Sequence, residues 1–145
     1  MKSQRSMLIF LSGLFLIFMV WFVLFVLDYN SRGVQMLNQG YYHAAMELFY
    51  LAIEKNPQNA SAYSNRGIVR HELKDFDGAV EDFNRALEID PRLAEAHVNR
   101  GLALQLQGKT SEAKTDFDTF LELVPDGKPD LEKATQQKRM MESYR

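Results

Sequence analysis

The chain has 145 residues, which is enough for one globular domain and one short appendage. It contains no cysteine, so disulfides, thiolate metal sites and cysteine nucleophiles are excluded. The formal net charge is −2, and residues 28–127 carry 10 basic and 16 acidic side chains. This acidic centre is a poor electrostatic match for nucleic acid, whose phosphates require clustered Lys and Arg.

Residues 7–27 form a strongly apolar run after a basic flank at residues 1–6. As a helix this run is about 31 Å long, which matches a hydrocarbon core of about 30 Å. A cleaved signal peptide is the competing interpretation, but its apolar region spans roughly 7–15 residues and ends in a small-residue cleavage site. The run therefore predicts an uncleaved signal-anchor, a single-pass transmembrane helix.

The basic side chains of Lys2 and Arg5 precede this span, and no acidic residue accompanies them. The positive-inside rule then predicts a cytoplasmic N-terminus. We expect the remainder of the chain outside the cytoplasm, in a periplasm or an organelle lumen.

Aromatic residues recur within the span at alternating steps of three and four residues, at Phe15, Phe18, Phe22 and Phe25. This spacing is typical of a packing seam and predicts a face for a partner helix or a bound lipophilic cofactor. Contact with lipid alone would satisfy the same side chains, so both interpretations stay open.

Glycines recur at equal intervals, at Gly33, Gly67 and Gly101, and other columns share this period. An aromatic residue or histidine lies one helical turn before each glycine, and alanine, phenylalanine and proline follow it at constant distances. The columns are Tyr29, Tyr63 and His97; Ala45, Ala79 and Ala113; Phe49, Phe83 and Phe117; and Pro57, Pro91 and Pro125. The pattern resembles the tetratricopeptide repeat (TPR), which has this order of residues on a period of about 34 residues.

The resemblance implies an all-α fold, with three repeats at about 26–59, 60–93 and 94–127 that stack into a helical solenoid over residues 28–127. Each repeat would be a pair of antiparallel helices, and the spacing of small residues predicts that Gly67 and Ala79 form a close helix crossing. Residues 128–145 are predicted to form a C-terminal capping helix. Because no clear cap separates residue 7 from about residue 39, we expect the transmembrane helix to continue unbroken into the first repeat.

Arginine precedes each repeat glycine, at Arg32, Arg66 and Arg100, where the TPR pattern prefers leucine. We expect each arginine stem to pack between helices, with its guanidinium near a helix-borne acid.

The resemblance also implies a binding groove lined by the first helix of each repeat. Carried over by distance from the glycines, the groove consists of Ser31, Asn65 and Asn99; Val34, Ile68 and Leu102; Leu37, His71 and Gln105; and Asn38, Glu72 and Leu106. The amides of Asn65 and Asn99 either pair with the backbone of a bound peptide or bond within their own repeats.

Some members of the family hold the C-terminal carboxylate of chaperones with Lys and Arg in this groove. The corresponding positions are Asn30, Val34, Asn65, Glu95 and Asn99, and none of them is basic. We therefore expect no carboxylate clamp, and a groove that instead suits an amphipathic or extended peptide segment.

No motif with a catalytic mechanism is present, and the run "HELKD" at 71–75 lacks the second histidine of a zinc helix. We expect no enzyme activity, no cofactor, no metal site and no small-molecule substrate. The predicted function is a membrane-anchored protein–protein interaction scaffold or assembly factor for a membrane protein complex. A permanent small subunit of such a complex and a groove-only receptor for soluble peptides are the alternatives.

Overall fold

The computed structural model describes residues 14–19 and 28–124. Six helices lie in residues 28–124, with short turns between them. They are α1 (Tyr29–Asn38), α2 (Tyr42–Lys55), α3 (Ala60–Glu72), α4 (Phe76–Ile89), α5 (Ala94–Leu106) and α6 (Thr110–Leu123). The predicted all-α solenoid of helix pairs is confirmed.

Helices that are consecutive in the chain pack against each other, in the pairs α1–α2, α3–α4 and α5–α6 and between successive pairs. The core of each pair has a fully buried phenylalanine from its second helix, Phe49, Phe83 or Phe117. Buried alanines accompany each ring, since a small side chain lets two helix backbones approach closely. A single pair has an apolar face that only a neighbouring pair can cover, so the fold is a stack.

The turn inside each pair uses a residue with a left-handed backbone, at Gly40 (φ 78°), Lys74 (φ 67°) and Gly108 (φ 77°). These three residues are one repeat period apart, so the turn geometry repeats with the sequence. Glycine adopts this conformation without a steric penalty, whereas the Cβ atom of Lys74 makes it unfavourable. The second turn is therefore locally strained relative to the other two.

Helix α1 begins at Tyr29, and Asp28 is its N-cap, with the Asp28 Oδ1 atom accepting a hydrogen bond from the Ser31 N–H at 3.1 Å. Asp28 has a non-helical backbone (φ −77°, ψ 75°), so no helix runs through it. The prediction of one unbroken helix from about residue 7 to about residue 39 is wrong at this point. Aspartate is a favoured N-cap residue, because its carboxylate satisfies an N–H group that has no partner within the helix.

The predicted membrane span lies mostly outside the described residues, as do Phe22, Phe25 and the predicted capping helix at 128–145. Residues 14–19 are helical, and the side chains of Phe15 and Phe18 are exposed. Among the helices of residues 14–19 and 28–124, none has the length and the apolar character needed to cross a bilayer.

Candidate functional site

The repeat glycines of α1, α3 and α5 lie directly against the buried phenylalanine rings of the paired helices. A Cβ atom added at Gly67 would lie 2.8 Å from the Cε1 atom of Phe83, and one added at Gly101 would lie 3.0 Å from Cε1 of Phe117. The close crossing predicted for Gly67 and Ala79 is therefore made chiefly by the Phe83 ring packing on Gly67. This contact fixes the rotation of each first helix, and so determines which of its residues face outward.

The arginine before each of the last two repeat glycines forms a two-pronged ion pair with an aspartate on the paired helix. Arg66 donates to Asp82 at 2.6 and 2.9 Å, and Arg100 donates to Asp116 at 2.6 and 2.8 Å. Burial opposes the charge on Arg66, but the hydrogen bonds and the charge of Asp82 outweigh it and raise the pKa of Arg66. The expected acid partners of Arg66 and Arg100 are thus confirmed.

Sequence reasoning expected these acids without identifying them. Each aspartate follows its arginine at the same separation, and the third repeat carries the arrangement in the same register as the second. The corresponding position of the first repeat is Leu48, so only two repeats carry the signal.

His97 occupies the aromatic column of the third repeat and is buried. Its Nδ1 atom lies 3.0 Å from Oδ1 of Asp116, and its Nε2 atom lies 3.0 Å from the carbonyl oxygen of Pro91. Both ring nitrogens face acceptors, so His97 has a structural role, fixing the start of α5 against α6.

The twelve predicted groove residues all lie on α1, α3 and α5, the first helices of the three pairs. Val34, Ile68 and Leu102 are half-buried, because one side of each packs against the core. Asn65, Asn99 and the row Leu37, His71 and Gln105 are also half-buried, while Ser31, Asn38, Glu72 and Leu106 are exposed. We call these twelve residues the groove; Val34, Ile68 and Leu102 form its apolar row, and the other rows are mostly polar.

A cleft of about 90 Å³ opens in the groove between the second and third helix pairs. It is lined by Phe83 and by five predicted groove residues: Ile68, His71, Glu72, Asn99 and Leu102. The structure therefore brings these five together at one place. In the part of the chain that the structure describes, the His71 Nε2 atom is buried without a hydrogen-bond partner. The imidazole ring packs edge-on against Phe76, with 5.4 Å between the ring centroids.

The two groove asparagines differ in their hydrogen bonding. Asn65 donates its Nδ2–H to the Oδ1 atom of Asn30 at 3.1 Å, which links α3 of the second repeat to α1 of the first. Neither of the two roles considered for Asn65 included this bond. Asn99 borders the cleft, and within residues 28–124 its amide makes no hydrogen bond to another side chain.

Models of protein families match the second half of the repeat region. The model described as TPR repeat matches residues 69–108, and the one described as tetratricopeptide repeat matches residues 95–127. Among solved structures, the second TPR of Spaghetti (RPAP3) bound to the HSP90 peptide SRMEEVD is 30% identical to this chain. The match covers 66% of this chain and 89% of that one, with a TM-score of 0.65. The chain belongs to the tetratricopeptide repeat family.

Other TPR structures resemble the chain over a longer range. The first TPR of Spaghetti (RPAP3), bound to the same peptide, is 28% identical, with a TM-score of 0.74 over 80% of this chain and 89% of that one. The Arabidopsis OM64 TPR domain is 26% identical, with a TM-score of 0.74 over 81% of this chain and 93% of that one. A comparison with curated proteins finds no match.

This TPR protein therefore has the fold of domains that bind peptides, and its residues 28–124 form a protein–protein interaction scaffold. No group of three or more potential metal ligands occurs within residues 14–19 and 28–124. The groove offers side-chain hydrogen bonds and apolar contacts, which suit non-covalent recognition of another chain.

Proposed function

We propose that this TPR protein is a membrane-anchored scaffold that captures a segment of another membrane protein, or of a subunit of its complex, during assembly. The observation that carries the proposal is the cleft between the second and third helix pairs. It combines the apolar side chains of Ile68 and Leu102 with the polar residues His71, Glu72 and Asn99. An apolar surface bordered by polar side chains can bury the apolar groups of a bound segment and fix its orientation by hydrogen bonds.

The chemistry of the groove distinguishes its ligand from the peptides of the related domains. The HSP90 peptide SRMEEVD in the Spaghetti structures is acidic at its end. In this chain the five positions of the family's carboxylate clamp hold no basic residue, and Glu95 adds a negative charge. Asn65 is moreover engaged with Asn30. An acidic C-terminus would be repelled here, whereas an apolar segment that offers backbone groups to the amides would be accepted.

The location follows from the sequence of residues 1–27. An apolar run long enough to cross a bilayer precedes the repeats, and its basic flank predicts a cytoplasmic N-terminus. Helix α1 begins at Tyr29, only two residues after the predicted span ends. With no room for a flexible linker, the groove would stay near the bilayer surface on the extracytoplasmic side, where it meets membrane-protein partners. Phe15, Phe18, Phe22 and Phe25 would face a partner helix within the membrane.

Photo-crosslinking in native membranes tests the groove. A photoreactive amino acid at Glu72 lies in the groove, and one at Glu88, which lies on α4 and is also exposed, serves as the control. We expect a crosslinked partner from position 72 and none from position 88. Equal crosslinking from both positions, or none from either, would contradict the proposal.

Substitution of the groove amides tests the same surface by affinity. Changing Asn65 and Asn99 together to Ala removes the amide groups that can still bond to a partner, the Asn99 amide and the Asn65 Oδ1 atom. At about 0.5–1.5 kcal/mol for each hydrogen bond, capture should weaken at least about fivefold. Asn56→Ala, in the turn before α3, is the control. A double variant that keeps full affinity, or that unfolds, would remove the support for the groove role.

The fate of the partner separates the alternatives. Transient crosslinks to newly made subunits indicate an assembly factor. Constant co-purification with a mature complex in mild detergent indicates a permanent subunit, and capture of soluble peptides without the membrane segment indicates a groove-only receptor.

A further inference from the structure

The second and third helix pairs each contain a copy of the same ion pair, in different surroundings. In the first copy, Arg66 pairs with Asp82 and also faces two aromatic rings. Its Cζ atom lies 4.6 Å from the centroid of the Tyr50 ring and 5.5 Å from that of Tyr63. The π-face of each ring is electron-rich, so it attracts the guanidinium. The chain itself thus supplies an aromatic cover for Arg66.

The second copy has no such cover. Arg100 pairs with Asp116 in the same geometry, but one repeat later Asn84 replaces Tyr50 and His97 replaces Tyr63. The Oδ1 atom of Asn84 accepts a hydrogen bond from Arg100 Nη1 at 2.7 Å, and both His97 nitrogens face other acceptors. Within residues 28–124, no aromatic ring of Phe, Tyr or Trp lies over the Arg100 guanidinium.

A cavity of about 390 Å³ opens beside Arg100, bordered by α4, α5 and α6. Asn84, Val80 and Leu104 form part of its wall, and Lys109, Glu112 and Thr115 add polar groups. A closed apolar cavity of about 150 Å³ binds benzene, so the volume of this more open and more polar space is sufficient for one aromatic ring. We call this cavity the Arg100 pocket; it shares no lining residue with the cleft of the groove.

We propose that the Arg100 pocket binds a tyrosine side chain of a protein partner, which takes the place on Arg100 that Tyr50 takes on Arg66. The ring stacks on a guanidinium whose position is already fixed by Asp116 and Asn84, so little conformational entropy is lost on binding. The phenol hydroxyl reaches the polar groups of Lys109, Glu112 and Thr115. The pocket is a second contact site, independent of the groove and of any membrane anchor.

Nuclear magnetic resonance on the full-length protein tests this proposal, with N-acetyl-L-tyrosinamide as the probe. The expected result is a saturable shift of the Arg100 Nε–H resonance and of the backbone amides around the pocket. For a probe this small, a Kd on the order of 1 mM is expected. N-acetyl-L-leucinamide, which has no aromatic face, should bind at least several-fold more weakly. Equal shifts with both probes, or no saturable shift, would overturn the proposal.

Two exchanges between the copies are matched variants. Asn84→Tyr places the chain's own ring on Arg100, as Tyr50 is placed on Arg66, and should abolish the probe-induced shifts with the fold retained. Tyr50→Asn should produce no second set of shifts at Arg66, because Tyr63 still covers Arg66 and the Arg70 side chain, hydrogen-bonded to the Gly78 carbonyl oxygen at 2.9 Å, takes the place that Leu104 has in the Arg100 pocket. Persistence of the Arg100 shifts in Asn84→Tyr would show that the probe binds elsewhere, even if Tyr50→Asn fails to fold.

Discussion

The contact between Gly67 and Phe83 leads to a testable prediction. The effect of Gly67→Ala on stability should change sign when the residue at position 83 is changed. Gly67 lies inside α3, where alanine is normally favoured over glycine by about 1 kcal/mol. Its added Cβ atom, however, would lie 2.8 Å from Cε1 and 3.0 Å from Cζ of Phe83, a ring with no exposed surface. A rigid, fully buried ring has little space to move away, so we expect Gly67→Ala to destabilise the protein.

The magnitude follows from two opposing terms. Overpacking a close contact costs roughly 1–3 kcal/mol, and the shift of several tenths of an ångström required here suggests the upper end. Subtracting the helix-propensity gain of about 1 kcal/mol leaves a net loss of about 2 kcal/mol. In a Phe83→Leu background the Cε1 and Cζ atoms are absent, so the same Gly67→Ala change should be neutral or stabilising by up to about 1 kcal/mol.

Urea unfolding of the four full-length proteins, followed by far-UV circular dichroism, gives the coupling between the two positions. We expect a double-mutant-cycle interaction of about 2–3 kcal/mol, within the range found for residues in contact. Phe83→Leu alone should lose about 1–3 kcal/mol to the cavity that it leaves. The reasoning is refuted if Gly67→Ala has the same effect in both backgrounds, or if it stabilises the wild-type protein.

Further predictions concern topology, turn strain, the ion pair and pH. A reporter that is active only in the cytoplasm should be silent when fused to the C-terminus; strong activity would show that the repeats lie in the cytoplasm, opposite to the prediction. Lys74→Gly should raise the free energy of unfolding by about 1 kcal/mol in urea titrations, because it relieves a left-handed backbone; an unchanged value would mean no strain. Asp116→Asn should cost about 3 kcal/mol, since it leaves Arg100, 24% exposed, without its counter-charge; a loss below about 1 kcal/mol would contradict this. Hydrogen bonds from Ser31 lower the pKa of the Asp28 carboxyl, so its stabilisation of α1 should be full above its unfolded-state pKa and disappear as pH falls through the lowered value. Amide exchange at the start of α1 measures this last effect, and Asp28→Asn should show no such pH dependence.

Much of the fold is predictable from the repeat period alone. A column of glycines, followed within each repeat by a column of phenylalanines, predicts both the helix pairs and the places where they touch. The proline columns indicate where second helices end, because proline has no N–H to donate. The contacts and helix ends that these columns specify lie within one repeat, so the spacing of residues in the sequence is enough to predict them.

The prediction of one unbroken helix through Asp28 was wrong because hydropathy does not detect where a helix begins. The apolar run and the register of the first repeat are almost adjacent, which favoured one continuous helix. A single carboxylate that caps the Ser31 N–H starts a new helix instead. Aspartate before a helical segment is a known start signal, but its weight depends on whether the preceding chain would otherwise remain helical.

The sequence by itself determined the family and the helix pairs, because these depend on spacings within a repeat. Only the tertiary structure decided which polar groups meet across repeats. Asn65 bonds to Asn30 on another helix pair, and Asn84 from the second repeat bonds to Arg100 of the third. The choice between a covered Arg66 and an open Arg100 pocket depends on side chains from neighbouring repeats, whose distances are set by how the pairs stack.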